Sequence, residues 1–237
     1  MVVGQKKEEE YKFINIYLEN FMARYLGPRC RLCRAQKQKL ILKGDRCLSV
    51  KCPIDKKDNL LRKGLPGKAT VSKMRKLSNY GIQLKEKQKL KNFYGILEKQ
   101  FFRYFKIANS KKGITGENLI TLLETRLDNI LYRMHFASSR SQARQFIRHG
   151  HIEVNGKIVN IPSFNIKKND IIAVRDKSKK LKQILESLKR VGTDGVMPWL
   201  DVNPDDVRGV IKQIPRRNEI KDLEAINEQL IVELYSK

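Results

Sequence analysis

The stretch from Ser139 to Arg175, SRSQARQFIRHGHIEVNGKIVNIPSFNIKKNDIIAVR, leaves its backbone few choices. Ser139-x-x-Gln142 is a capping box, in which a hydroxyl and an amide satisfy each other's free backbone N–H groups and so start a helix. Gly150 is placed to stop that helix in a left-handed conformation. Between them Ala143, Phe146 and Ile147 mark a buried stripe. Asn155-Gly156 then falls between Ile152 and Val154 on one side and Ile158 on the other. Both positions of a two-residue hairpin turn need positive φ, and Asn-Gly meets that need best. Lys167–Asp170 predicts a second turn, and Ile171, Ile172 and Val174 a further strand. The segment therefore predicts a helix followed by a small twisted sheet.

Arg140, Arg144 and Arg148 recur every four residues along that helix and are expected to share one face. Guanidiniums about 6 Å apart on a rigid helix suit successive phosphates. The charge of the whole chain points the same way, since 50 Lys+Arg against 25 Asp+Glu leave +25. Such a field suits a polyanion, with nucleic acid the first candidate and an anionic membrane surface the second, and poorly suits a pocket for a neutral small molecule. Hydrophobic residues still make up 41% of the chain, enough to bury a core in one or two domains.

All four cysteines lie close together, as Cys30-x2-Cys33, thirteen residues, then Cys47-x4-Cys52. Two close pairs on a short connector are what a tetrahedral structural zinc site requires. An iron–sulfur cluster would take the same ligands, and buried thiols or a disulfide are the plainer alternatives. Four sulfur ligands leave no open position for a catalytic water.

From Lys56 to Lys76 eight basic residues face one acid, with Gly64, Pro66 and Gly67 among them. This segment, within a basic linker at 53–79, is expected to be an extended arm that follows phosphates. Residues 84–108 carry Leu90, Phe93, Tyr94, Leu97, Phe101 and Phe105 at helical spacing, with Gly95 as a kink. A second amphipathic run holds Leu119, Leu122, Leu123, Leu127, Ile130, Leu131 and Met134, with Thr115 as its N-cap. At the start, residues 1–21 carry a net charge of −1 and place Glu8–Glu10 where a signal peptide would be apolar. They read as an appendage, flexible or a start-site artefact, to a soluble cytoplasmic chain that begins in effect at Met22. Near the other end, Trp199 is expected to anchor a loop. Ile226, Leu230, Ile231 and Leu234 line a final helix that packs on the helical body or touches a neighbouring protein.

Residues 126–175, with their RLDN opening, SRSQARQFIRHGHI helix and VNGKIV hairpin, closely resemble the RNA-binding domain of the S-four family of small-subunit ribosomal proteins. Further segments extend the resemblance from Met22 across nearly the whole chain: MARYLGPRCRLC, LSNYGIQLKEKQKLKNFYG, TGENLI and INEQLIVELYSK. The cysteine spacing resembles that of the bacterial members with four cysteines. Two features depart from the family. Leu65-Pro66-Gly67-Lys68-Ala69 stands where the family commonly has Pro-Pro-Gly-x-His-Gly, and the first 21 residues match nothing in it.

The resemblance implies an α+β chain. It has an N-terminal extension (1–21), a helical rRNA-binding domain with a four-cysteine zinc knuckle (22–115), an S-four-type domain of two to three helices and a short sheet (116–190), and a C-terminal segment returning to the helical domain (191–237). It also implies a primary binder of the 5′ domain of 16S rRNA at a multi-helix junction, near the channel by which mRNA enters. Its neighbours there are the ribosomal proteins S-five and S-three, and it influences decoding accuracy. In some bacteria the family also represses its own operon. The expected RNA contacts are Arg24, Tyr25, Arg29, Arg31, Tyr80, Lys85, Lys87 and Arg103 in the helical domain. In the second domain they are Arg126, Arg140, Gln142, Arg144, Arg148, His149 and Lys157. The expected metal ligands are Cys30, Cys33, Cys47 and Cys52, holding one structural Zn2+.

Two other classes fit less well. An enzyme carrying this RNA-binding domain as an accessory would need a separate catalytic domain. The only three histidines, His135, His149 and His151, come with no nucleophile or phosphate loop. A DNA-binding regulator could use a zinc knuckle, but no recognition helix follows Cys52.

Overall fold

The computed structural model describes residues 25–55 and 77–236. The extension at 1–21, Arg24, and the basic arm at 56–76 with its departure at 65–69 lie outside the described residues. Within the described residues, ten α-helices and five strands form two bodies on one α+β chain. No described helix is long and apolar enough to cross a membrane.

The first body is helical. α1 (Arg29–Gln36) and the single turn α2 (Asp45–Leu48) carry the cysteines, ahead of α3 (Asn79–Tyr94), α4 (Glu98–Ser110) and α5 (Thr115–Glu124). Ser78 caps α3 by accepting the Gly81 N–H at 3.2 Å. The expected kink at Gly95 is a full stop. Gly95 adopts φ +66°, and its N–H and that of Ile96 return to the Asn92 and Lys91 carbonyls. The expected run 84–108 is therefore two helices, because a left-handed glycine ends a helix where a right-handed one would only bend it. Thr115 opens α5 but does not cap it, and its hydroxyl turns to the Asn109 side chain instead.

The second body starts with α6 (Leu127–Arg133) and α7 (Arg140–Arg148), followed by β1 (Ile152–Val154), β2 (Lys157–Ile158) and β3 (Ile171–Val174). Ser139 accepts the Gln142 N–H, Gly150 turns left-handed after α7, and Asn155 and Gly156 close the β1–β2 hairpin at φ +51° and +75°. After α8 (Asp176–Lys179) and α9 (Lys182–Asp194), β4 (Leu200–Asn203) and β5 (Arg208–Ile211) join the sheet in the antiparallel order β2-β1-β3-β5-β4. Ile152 faces Val174, and Ile172 faces Gly209. This sheet buries Ile152, Val154, Ile172 and Val174 against α6 and α7, with Trp199 fully enclosed in the same core. Each such side chain stabilises the body by roughly 1.5–3 kcal/mol.

The structure corrects two boundaries. α5 packs Leu119, Ile120 and Leu123 into the core of the helical body, so the seam between the bodies falls between Glu124 and Leu127, later than residue 116. The C-terminal segment from 191 also does two jobs. Its first half supplies β4 and β5, and its second half returns to the helical core through Ile220, Leu223, Ile226 and, in α10 (Glu228–Tyr235), Ile231, with Val232 and Tyr235 packed against them. LDVN and RGVI are split by the turn residues Pro204-Asp205-Asp206, the one local signal for that first half.

Candidate nucleic-acid interface and the seam behind it

The apolar faces of α5 and α6 carry charges that cannot reach water, and each finds a partner. Glu124 and Arg133 are both buried. Arg133 Nη2 donates to Glu124 Oε1 at 2.9 Å and its Nε to Oε2 at 3.2 Å, and Arg133 Nη1 reaches Asp222 from the C-terminal segment. The Tyr94 hydroxyl and Asn129 Nδ2 also donate to Glu124, at 2.6 and 2.7 Å. Burial pushes the Glu124 carboxyl up, but the charge and hydrogen bonds of Arg133 outweigh it and hold the group below the usual carboxylate range. Beside this cluster Arg126 grips Asp128 through two bonds of 3.1 and 2.8 Å and donates to the Tyr104 hydroxyl.

The arginine row of α7 meets the same seam. Arg140 is stacked among rings, its guanidinium carbon 4.1 Å from the centroid of Phe93 and 4.5 Å from that of Tyr132, while its Nε donates to Asn129 Oδ1 at 2.8 Å. Arg144 Nη2 donates to Asp128 at 2.7 Å and its Nη1 to the Gly95 carbonyl at 3.3 Å. Of the three, Arg148 alone stands exposed. The open face of three guanidiniums is therefore corrected. The helical spacing holds, but the N-terminal half of α7 lies against the aromatic end of α3 and turns two of the three inward.

The other expected RNA contacts divide in the same way. Arg31, Tyr80, Arg103, Arg148, His149 and Lys157 are exposed, and Tyr25, Arg29 and Lys85 are half-buried. Arg126 and Lys87 are buried and already paired within the protein. Gln142 accepts from the N–H and the hydroxyl of Ser138, both at 2.7 Å. Lys87 bonds Glu98 at 2.6 Å, and Lys91 and the Tyr235 hydroxyl reach the same carboxylate at 3.0 and 2.9 Å. Burial raises the Glu98 carboxyl, yet these three donors hold it at about 2. Its ion pairs therefore stabilise the fold at neutral pH, and that contribution is lost as the pH falls from about 4.5 through about 2. An acid titration followed by thermal unfolding should show Glu98→Gln to be less pH-sensitive than the parent over that window.

Sequence reasoning missed Glu124, Asp128, Asn129 and Arg133 as a unit. The signal was present, since charged residues interrupt the apolar series Leu122, Leu123, Leu127, Ile130 and Leu131, and a charge on a buried face has to be paired.

The four cysteines are free thiols, with Cys33, Cys47 and Cys52 buried and Cys30 half-buried. Burial pushes the Cys33 thiol up, and its neighbours Cys47, Cys30 and Cys52 push it further. The Lys43 N–H donates to the Cys47 sulfur at 3.3 Å. Among the described residues no group of three or more histidine, cysteine or acidic side chains is arranged to hold a metal ion.

Comparison with known proteins fits this division of the chain. A family model described as the ribosomal protein S4/S9 N-terminal domain matches residues 24–124, and one described as the S4 domain matches residues 125–172. The two meet at the seam. Among curated proteins, small ribosomal subunit protein uS4A of Symbiobacterium thermophilum is 51% identical over 216 residues, 91% of this chain and 100% of that protein. The uS4 proteins of Citrifermentans bemidjiense and Thermoanaerobacter pseudethanolicus are 50% and 53% identical over the same shares of each chain. On this likeness along nine-tenths of its length, the chain belongs to the uS4 family of small ribosomal subunit proteins.

Proposed function

We propose that the chain is a primary rRNA-binding protein that clamps a multi-helix junction in the 5′ domain of 16S rRNA and nucleates assembly there. At the coarser level, it is a structural constituent of the small ribosomal subunit and not an enzyme. The observation that carries the finer reading is the pair of bodies joined by Arg133 to Glu124 and Asp222, each with exposed cations: Arg31 and Arg103 on one, Arg148 and Lys157 on the other. A-form RNA hides its base edges from side chains in a deep groove, so a junction is recognised by shape and phosphate position. Two rigid basic bodies in a fixed mutual orientation suit that task. The neighbours in this reading are the proteins S-five and S-three and the incoming mRNA, and the contact with S-five carries an influence on decoding accuracy. The compartment is the cytoplasm.

Cys30, Cys33, Cys47 and Cys52 would hold one structural zinc ion. Cys33, with the three other thiols around it, supplies the kind of donor set such an ion takes, although among the described residues the four are not arranged as a closed metal cage. The ion would neutralise the mutual repulsion of the thiolates and fix the fold of residues 30–52 around them.

The test is binding of the full chain to a 5′-domain transcript and to an unrelated RNA of equal length, across a salt series, with and without a chelator. Preference for the transcript, retained at high salt, is expected. Arg148→Ala should weaken binding and lower the slope of log K against log salt by about one. Equal binding to both RNAs would sink the junction reading, and binding and thermal stability indifferent to the chelator would sink the zinc.

A further inference from the structure

A cavity lies where three parts of the chain converge. Arg29 and Ile41 reach it from the cysteine segment, Gly95 from the end of α3, and Arg140, Ser141 and Arg144 from the start of α7. Its volume of about 20 Å³ admits a single oxygen-sized atom. Three of the lining side chains are guanidiniums, and none is a carboxylate.

Two donors on these side chains are left over. Arg140 Nη2 and Arg144 Nε are buried and have no hydrogen-bond partner among the described residues, whereas Arg140 Nε is used by Asn129 and Arg144 Nη1 and Nη2 by Gly95 and Asp128. The charges do not balance either. In the seam Arg126, Arg133 and Arg144 are each ion-paired with Asp128, Glu124 or Asp222. Arg140 has aromatic rings and an amide around it but, among the described residues, no ion-paired carboxylate. A water molecule would satisfy the donors but leave four seam arginines against three carboxylates, since the Glu124 charge that Arg140 feels is already shared with Arg133. An anionic oxygen answers both, and charge-assisted bonds from guanidinium to phosphate are the stronger kind.

We propose that this cavity is a subsite for one non-bridging phosphate oxygen, held by Arg140 Nη2 and Arg144 Nε with Arg29 and Ser141 beside it. The inference rests on the rRNA reading above and deepens it by naming the atoms that take a backbone phosphate at the junction between the bodies. Two of the arginines that turn inward from the open face of α7 thus act on RNA from within a cleft, one oxygen at a time. Inorganic phosphate shares the chemistry and serves as a separate probe.

The test uses the full chain and two variants that add the same charge to α7. Ser141→Glu puts a carboxylate beside the cavity, in the first turn of a helix, where acids are tolerated. Gln145→Glu puts one a turn further along the same helix, at an exposed position that does not line the cavity. Each is assayed on the 5′-domain transcript and an unrelated RNA over a salt series. Thermal unfolding is followed in inorganic phosphate and in chloride at equal ionic strength. Ser141→Glu is expected to bind the transcript at least tenfold more weakly than Gln145→Glu, with a salt slope lower by about one. It should also lose the gain in Tm that phosphate gives the parent. If the two variants weaken binding equally while the parent still prefers the transcript, the subsite is overturned and the rRNA reading survives. If the parent shows no preference, the rRNA reading falls. In that event a phosphate-dependent Tm gain in the parent, absent from Ser141→Glu, still upholds an anion site, and no gain overturns it.

Discussion

Glu124→Ala is expected to destabilise the fold by about 3–5 kcal/mol, the usual effect of removing one partner from a buried ion pair. Glu124 is fully buried and is the shared acceptor for Arg133, Tyr94 and Asn129, so its loss leaves the Arg133 cation enclosed with Asp222 to answer it. Glu124→Gln keeps the shape and some acceptor capacity, and should lose less. The carboxyl is held below its ordinary value, so its contribution is complete at neutral pH and fades as the pH falls through the folded-state pKa. Urea denaturation at pH 7 and at acid pH should show the alanine variant converging on the parent as the medium is acidified. A constant gap between them would mean that the effect is a cavity and not a charge.

Deleting residues 220–237 should cost the helical body its cooperative unfolding transition while the sheet-containing body stays folded. The deletion removes Ile220, Leu223, Ile226 and Ile231 from a core they share with Leu90, Phe101 and Leu119. At roughly 1.5–3 kcal/mol for each buried aliphatic side chain, the loss approaches the whole net stability of a domain, about 5–15 kcal/mol. It also removes polar ties, among them the bidentate pair between Arg217 and Glu228, Lys89 on the Ala225 carbonyl, and Gln83 on Glu233 at 3.0 Å. Hydrogen exchange separates the outcomes. Amides of α3–α5 should lose protection, and those of β1, β3 and β5 should keep it. Protection retained in α3–α5 would show that the tail lies on a core already sufficient without it.

The second body was largely legible in the sequence because its signals are local. A capping serine, a stop glycine and an Asn-Gly turn fix the backbone within a few residues of themselves. The interface was harder to read. Spacing places Arg140, Arg144 and Arg148 on one face of α7, yet a helical period cannot say where along that face the neighbouring body ends. The packing of α7 on Phe93 and Tyr132 decides it. The division of the C-terminal segment was hidden for a similar reason. Strands of four residues carry little pattern of their own, and β5 is held in place by its pairing with β3, more than thirty residues earlier in the chain.

The return of the C-terminus to α3–α5 also bears on how the molecule comes into being. A chain is made from its N-terminus, and domains generally fold in that order as they emerge. Here that order is reversed. The sheet-containing body is complete once β5 has emerged, whereas the helical body waits for Ile226 and Ile231, which follow β5 in the chain. Until those residues emerge, the helical body, although it comes earlier in the chain, remains the later of the two to close its core. The emergence of Ile226 and Ile231 is therefore the step that completes the helical core, after the sheet beside it has formed.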